Sequence, residues 1–361
     1  MRTLQNIIVT GGAGFIGSNF IRFLFRNKDF KGMIVNVDKL TYAGNPLNLV
    51  DIEEVYGNKR YFFEKMDICN HAKIKELFKK YSVDGVVHFA AESHVDRSIF
   101  GPGDFINTNI LGTFNLLEAA REVWKDRNDV LFHHVSTDEV FGSLGKDGFF
   151  YETTAYDPRS PYAASKASSD HLVNAYRHTY GLPCTVSNCS NNYGPYQFPE
   201  KMMPLMILNM MDEKRLPVYG DGKNIRDWLF VEDHCSAVWL ILKKGSVGET
   251  YNIGGENEWQ NIELVELMCE KMAQIKGKDK DYFKKLITFV KDRPGHDRRY
   301  AINCDKIKRD LGWRQEVGFD RGIDFTMHWY INNKEWVESI KSGDYRKWIE
   351  LNYGGRERTS R

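Results

Sequence analysis

Five residues carry side chains and spacings that could do chemistry. "YAASK" places Tyr162 and Lys166 four apart at the start of a helical pattern, so both project from one face. A cation there stabilises phenolate, and the positive nicotinamide ring of a bound cofactor would add to it; together they bring a Tyr pKa down from ~10 towards neutrality, which turns the phenol into a general base for a hydroxyl. Tyr-x-x-x-Lys is also common on solvated helix faces. "STDEVFG" sets Thr137, Asp138 and Glu139 in a row directly after an apolar run that reads as a buried strand. Adjacent side chains on a strand point to opposite faces. The two acids therefore serve one site only if the chain has left the strand at Thr137; otherwise they are loop acids favoured by a helix dipole.

A second group of residues fits a dinucleotide. In "VTGGAGFIG", Gly11, Gly14 and Gly17 form G-x-x-G-x-x-G between the first strand and the first helix. Glycine there lets backbone approach a pyrophosphate, which then sits at a helix N-terminus. The second strand ends at Asp38, 21 residues after Gly17. An acid at that point accepts hydrogen bonds from the adenine ribose and repels a 2′-phosphate, so NAD is expected rather than NADP. Lys39 is placed to serve the pyrophosphate. Asp67 and Ile68, after the third strand, either flank the adenine or simply cap the next helix.

These residues must be held by elements the pattern reveals. "NIIVT", "MIVNVD", "RYFFEKMDI", "DGVVHFAA", "VLFHHVST" and "CTVSNCS" read as buried strands. "FIGSNFIRFLFRN", "KIKELFKKY", "FNLLEAAREVW" and "YAASKASSDHLVNAYRHTYG" between them read as helices. That alternation predicts an α/β fold, a Rossmann-type doubly wound parallel sheet whose ligands bind beyond the carboxyl ends of the strands. After residue 190 loops lengthen around "LPVYGDG", "RDWLFVEDH" and "TYNIGGEN". The expected organisation is an NAD-binding domain over 1–190 and a smaller C-terminal α/β substrate lobe over 191–361, with some later segments returning to the first domain.

Bulk properties exclude other classes. The chain has 361 residues, 50 of them basic and 49 acidic, a balance that gives no support for nucleic-acid binding. The basic stretch "GGRERTSR" reads as a frayed terminus. Six scattered cysteines without a CxxC pair read as reduced core residues of a cytoplasmic protein. "MRTLQNIIVTGG" has no apolar h-region, and no run of about 18 apolar residues exists, so neither a secretory signal nor a membrane helix is expected. None of the ten histidines has metal-ligand company, so no metal is expected, and His133 and His134 within a strand read as structural.

With the glycine turn, Thr137 and the Tyr–Lys pair together, the chain resembles the extended short-chain dehydrogenase/reductase family over nearly its whole length. "AAESHVDRSI", "SPYAASKASSDHLV", "CSNNYGPYQFPEKMMPL", "PVYGDGKNIRDWLFVEDH" and "RPGHDRRYAI" narrow the resemblance to the dTDP-glucose 4,6-dehydratase branch. That branch implies a lyase reaction with NAD regenerated in each turnover: C4 oxidation by way of Tyr162, water elimination across C5 and C6, and hydride return to C6. Elimination needs a base at C5 and an acid at the C6 hydroxyl, and by resemblance these are Glu139 and Asp138.

The resemblance also sets Phe15, Ile16, Ala90, Ala91 and Thr108 against the cofactor. It assigns Asn191, Lys201, Pro217, Tyr219, Arg226, Arg293 and His296 to the nucleotide-sugar; Asn261 joins them from its place just before a helix, and Ser93 and His94, after the fourth strand, are placed to reach the sugar or the pyrophosphate. It implies a homodimer through the helices around "NTNILGTFNLLEAAREVW" and "YAASKASSDHLVNAYRHTY", and supply of 6-deoxysugars such as rhamnose. Asn188, Phe198, Met202 and Met203 depart from the branch, where Arg, His and branched aliphatics are usual. The competing readings are a nucleotide-sugar 4-epimerase, which needs no acid pair; a decarboxylase, which by resemblance carries Ser at position 138; a UDP-glucose 4,6-dehydratase; and an NAD-binding regulator without turnover.

Overall fold

A computed structural model of the chain describes residues 1–341 together with Glu350 and Asn352; the "GGRERTSR" stretch lies outside the described residues. The first half alternates as its apolar runs require. β1 (Asn6–Thr10) leads to α1 (Phe15–Arg26), β2 (Met33–Asp38), α2 (Val50–Tyr56), β3 (Tyr61–Lys65), α3 (His71–Lys80) and β4 (Gly85–His88). Two short helices, α4 (Val95–Phe100) and α5 (Pro102–Phe105), run into one π-helical turn over Ile106–Gly112 and then α6 (Thr113–Trp124). β5 (Leu131–Thr137), α7 (Pro161–Tyr180) and β6 (Cys184–Cys189) complete this half.

The second half carries β7 (Asn191–Tyr193), α8 (Met202–Met211), β8 (Leu216–Tyr219), β9 (Ile225–Phe230), α9 (Val231–Lys244) and β10 (Thr250–Ile253). It continues through β11 (Glu258–Gln260), α10 (Asn261–Lys276), β12 (Ile287–Val290), α11 (Asp305–Leu311), α12 (Phe319–Asn332) and α13 (Lys334–Ile340).

Seven strands form one parallel sheet in the order β3-β2-β1-β4-β5-β6-β10. The chain reverses direction of winding between β1 and β4, and the crevice at such a point is where ligands of doubly wound sheets bind. Strand pairing is set by continuous burial: Ile7, Ile8 and Val9 of β1 and Val86 and Val87 of β4 are all fully enclosed. One apolar layer joins Phe20, Ile21 and Leu24 of α1 to Trp239, Ile241 and Leu242 of α9. The opposite layer joins Phe78 of α3, Trp124 of α6 and Val173 of α7. α9 and β10 follow residue 190 yet pack with the large sheet.

α11 joins the layer of α1 and α9 through Ile307 and Leu311, and the other C-terminal elements gather around their own core, in which Met206 and Leu208 of α8 meet Met268 of α10 and Met327 of α12. This lobe adds a three-stranded sheet, β11-β9-β7, and a two-stranded one, β12-β8.

Local signals explain how α7 is aimed. Ser160 caps it by accepting the Ala163 N–H at 3.1 Å, Pro161 fills the first turn, and Gly181 ends it at φ +67°. The π-turn before α6 is the element that periodicity missed. It brings Asn109 inward, where the side-chain amide donates to Ser165 Oγ at 2.8 Å and to the Glu92 carbonyl at 3.0 Å. Its oxygen accepts the Glu92 N–H at 2.9 Å. One buried amide thus locks the loop after β4 to α7, a recurrent use of π-turns beside functional sites.

Candidate active site

Two chambers meet between the sheet and the C-terminal lobe. The larger, about 300 Å³, lies over the carboxyl ends of β1, β2 and β4 to β6. The smaller, about 160 Å³, is walled by the C-terminal lobe. Glu139, Asn191 and Lys201 line both, so the chambers join at the acid pair's outer member.

Gly11, Gly14, Phe15, Ile16, Gly17, Asp38, Lys39, Asp67, Ile68, Ala90, Ala91 and Thr108 all line the larger chamber. Its glycines differ in purpose. A Cβ on Gly17 would stand 2.3 Å from the Gly11 carbonyl oxygen, and one on Gly11, at φ +69°, would meet Ala90 backbone at 2.7 Å. Gly14 meets only that same carbonyl, at 3.2 Å, and is otherwise open. Gly14 also caps α1 without any side-chain acceptor, which leaves the first N–H groups of the helix facing the chamber. That uncapped amide set suits an anionic pyrophosphate, so these residues fit a dinucleotide.

Asp38 is positioned by its own loop, Oδ2 accepting the Ala13 N–H at 3.0 Å and Oδ1 the Leu40 N–H at 2.8 Å. Burial pushes its carboxyl up while these amides pull it down. Lys39 is paired with Asp67 at 2.7 Å rather than held out toward a pyrophosphate. The two residues close one wall as an ion pair, a tertiary contact the sequence did not reveal.

The geometric condition on the acid pair is met. β5 ends at Thr137, and a single 3-10 turn spans Asp138–Phe141. Thr137 caps the turn, its Oγ1 accepting the Glu139 N–H at 3.3 Å. Neighbours in a turn of three residues no longer point to opposite faces as on a strand, and both acids line the chamber.

The environments of the two carboxyls differ. Burial pushes Asp138 well up, and the nearby Glu139 and Asp227 push it further. Its Oδ1 lies 3.4 Å from Thr137 Oγ1, and its Oδ2 has no partner among the described residues. Glu139 is also raised by burial, but Arg293, Lys201 and Arg226 oppose the shift. Asp138 is thus the group held as a neutral acid, and Glu139 the one with cations to stabilise its charge.

Tyr162 and Lys166 face the chamber from the first turns of α7. Without a cofactor beside it, Tyr162 is not drawn toward neutrality. Burial pushes the phenol well up, and the Glu139 charge adds to it, while the Thr137 hydroxyl bond lowers it. The Lys166 amine is turned to the Val135 carbonyl, 2.8 Å away, with His134 Nε2 at 3.4 Å. The pair alone does not make a phenolate; a positive charge beside the ring is needed as well.

The smaller chamber is lined by Asn191, Lys201, Pro217, Tyr219, Arg226, Asn261, Arg293 and His296. Ser93 lies in the larger one, where its carbonyl accepts from Lys201 Nζ at 2.8 Å. Arg226 is stacked over Tyr300, 4.1 Å from the ring centre, and donates to the Ile225 and Asp297 carbonyls at 2.7 and 2.9 Å. Two of its donors are therefore spent on orientation. Arg293 stands 3.6 Å from Asp96, and its buried Nε has no partner among the described residues. Asn261 Oδ1 is likewise buried without a partner there. His296 is fixed by Asp292 at 2.6 Å. One buried donor and one buried acceptor left open, Arg293 Nε and Asn261 Oδ1, suit a ligand that carries both phosphate and polar base edges.

Sequence reasoning missed several lining residues. Glu200, next to Lys201, is buried against Arg97 at 2.9 Å, and Arg97 in turn sits 3.7 Å over the Tyr42 ring. Asn192, Gln197 and Tyr300 line the site too. Their stretches stood out in the sequence, but nothing local marked which side chains turn inward. His94 caps α4 through the Arg97 N–H at 3.4 Å, and burial lowers it to about 4. His133 is tied to Thr185 at 2.9 Å and Ser187 at 3.1 Å inside the sheet.

The chain is similar to known proteins over almost its whole length. A family model described as GDP-mannose 4,6 dehydratase matches residues 8–326. A Shigella flexneri protein named dTDP-glucose 4,6-dehydratase is 54% identical over 367 residues, covering 98% of this chain and 100% of the relative. The crystal structure of a dTDP-glucose 4,6-dehydratase from Bacillus anthracis in complex with NAD superposes with a TM-score of 0.82 at 46% identity, covering 93% of this chain and 100% of that one. One from Streptomyces venezuelae, also with NAD bound, gives 0.84 at 42% identity, again over 93% and 100%. Likeness of this extent, over a chain that carries the acid pair beside the Tyr–Lys pair, makes the chain a member of the dTDP-glucose 4,6-dehydratase family within the extended short-chain dehydrogenases/reductases.

Proposed function

We propose that the protein is an NAD-dependent lyase that dehydrates dTDP-glucose to dTDP-4-keto-6-deoxyglucose. The observation that carries this reading is the acid pair: Asp138 and Glu139 leave the strand in one 3-10 turn and present both carboxyls to one chamber in unlike charge environments. A 4-epimerase has no step for two such groups.

Gly11, Gly14, Phe15, Ile16, Gly17, Asp38, Lys39, Asp67, Ile68, Ala90, Ala91 and Thr108 would hold NAD, together with Tyr162 and Lys166. The chemistry that NAD supplies when bound is acceptance of hydride from the sugar C4 and its return at C6. Tyr162 takes the O4 proton, with Thr137 hydrogen-bonded to the same oxygen. Glu139 then removes the C5 proton, which the new ketone has acidified, and Asp138 gives its proton to the C6 hydroxyl so that it leaves as water. Glu139 returns a proton to C5 in the last stage. Each of these proton transfers speeds its step by the typical ~10²–10⁴-fold of positioned acids and bases.

Arg226, Arg293, Lys201, Asn191, Ser93 and His296 would hold the diphosphate and ribose, and Pro217, Tyr219 and Asn261 the base. A homodimer accounts for the apolar side chains left exposed on the π-turn, α6 and α7, where Ile106, Leu111, Phe114 and Tyr180 are 51%, 45%, 39% and 53% exposed. The free cysteines suit a reducing cytoplasm, and the product suits biosynthesis of 6-deoxysugars such as rhamnose.

The test is incubation with dTDP-glucose in deuterated water, followed by NMR and mass spectrometry. A 4-keto-6-deoxy product carrying deuterium at C5 is expected. A galactose-configured product without deuterium at C5 would overturn the reading in favour of an epimerase. A UDP-glucose arm decides the nucleotide.

A further inference from the structure

Behind Lys166, on the side away from the substrate, lies a polar block that the reaction as described does not use. Asp170 sits one turn after Lys166 on α7 and is completely buried. Its Oδ2 accepts from Ser136 Oγ at 2.7 Å and from Tyr156 OH at 2.9 Å. Its Oδ1 has no hydrogen-bond partner among the described residues and stands 3.1 Å from His134 Nε2. The same His134 nitrogen is 3.4 Å from Lys166 Nζ. A carboxyl enclosed this fully is costly unless its charge meets a partner, and the charge it meets is that of the equally buried Lys166.

We infer that Asp170 is a positioning residue for proton transfer: across the edge of the His134 imidazole, it holds Lys166 as an ammonium and thereby keeps Tyr162 able to act as a base. The inference rests on the roles proposed above for Tyr162 and Lys166.

The other groups around the pair do not supply a negative charge. His134 and His88, on β5 and β4, are kept neutral by burial and by Lys166 itself. The Cys189 thiol of β6 is pushed up to about 12 by burial. Tyr156 is raised by burial and by Asp170. His171, the other titratable neighbour of Asp170, adds only positive charge. For Lys166, burial lowers its proton affinity and Asp170 is the foremost group restoring it.

The test is Asp170→Asn, which keeps shape and removes charge, in the full-length protein with NAD. The Lys166 amine is titrated by competitive acylation across pH and peptide mass spectrometry. Its proton affinity is expected to fall about tenfold or more. The acidic limb of kcat/KM with dTDP-glucose should move to higher pH, because a Lys that has lost its proton no longer stabilises phenolate. Tyr156→Phe, which removes one donor from the carboxylate, should shift both readouts less and in the same direction, so the inference remains testable if Asp170→Asn does not fold. Unchanged titration of Lys166 in a folded variant would overturn the inference, as would a loss of rate by one factor at every pH. If the wild-type protein forms no 4-keto-6-deoxy product, the proposed function fails, while the Lys166 titration still decides the role of Asp170.

Discussion

Asp138 and Glu139 are sequence neighbours with unequal electrostatic company: Asp138 is pressed by two carboxylates with Arg226 opposing, whereas Glu139 faces Arg293, Lys201 and Arg226 with Asp297 opposing. The division predicts distinct failures. Asp138→Asn retains C4 oxidation and loses protonation of the leaving hydroxide, so reduced cofactor should accumulate on mixing with dTDP-glucose while product formation slows by ~10²–10⁴-fold. Glu139→Gln should give the same accumulation, and in deuterated water any residual product should still carry deuterium at C5, because the hydron then comes from solvent. Stopped-flow absorbance of the reduced nicotinamide separates the steps. An equal collapse of the first hydride transfer in Asp138→Asn would remove its assigned role.

Gly17 predicts a different failure. Its Cβ would stand 2.3 Å from the Gly11 carbonyl and 2.8 Å from Gly12 Cα, both of them backbone that cannot step aside. Gly17→Ala should displace the turn, lower thermal stability and abolish retention of NAD. Gly14→Ala meets a single atom at 3.2 Å and should fold, with its methyl group in the chamber weakening NAD alone. Melting temperature and cofactor content after gel filtration tell the two apart.

These contrasts show how much of the site could be read from sequence. The glycine turn, Asp38, Tyr162 and Lys166 were legible because each lies within one strand–turn–helix unit, where spacing determines direction. The acid pair was legible as types and position, but whether both acids face one chamber depended on the 3-10 turn and its Thr137 cap. Contacts between distant segments were not legible. Lys39 finds Asp67 28 residues on, Arg226 is oriented by the Asp297 carbonyl, and Asn109 reaches Ser165 only because a π-turn interrupts the helix. The raised Tyr162 phenol follows from burial beside Glu139, which four-residue spacing cannot express.

Arg293 predicts the strength of substrate binding. Its Nε is buried without a partner among the described residues, while Arg226 already gives two donors to backbone. A charge-assisted bond to phosphate contributes roughly 1.5–3 kcal/mol. Arg293→Ala should therefore raise KM for dTDP-glucose about 10- to 100-fold and slow kcat much less. Arg293→Lys should recover only part of this, because an ammonium lacks the planar fork. Steady-state kinetics check both.

The exposed apolar face predicts assembly. Phe114 is 39% exposed, its ring 6.5 Å from Tyr176, which lies 5.0 Å from the 53% exposed Tyr180. If two copies bury this face, Leu111→Asp with Phe114→Asp should yield monomers on light scattering, and the wild-type chain should run as a dimer. A wild-type monomer at micromolar concentration would refute the dimer.

Asp170 leaves a signature in stability as well as in rate. Burial raises its carboxyl from the ordinary 3.8 to about 6, against the pull of Lys166, Ser136 and Tyr156. A folded state with the higher pKa binds more protons than the unfolded chain between those values, so stability falls as pH rises through about 6. Between about pH 4.5 and about pH 7.5 the group withdraws about 2 kcal/mol, at roughly 1.4 kcal/mol per pH unit. Asp170→Asn cannot titrate and should gain that amount relative to wild type over the same interval, whatever its absolute stability. Urea unfolding of both proteins at the two pH values measures the difference. A difference that does not change with pH would mean that Asp170 is ionised at no cost, and that the block behind Lys166 is more strongly compensated than its hydrogen bonds indicate.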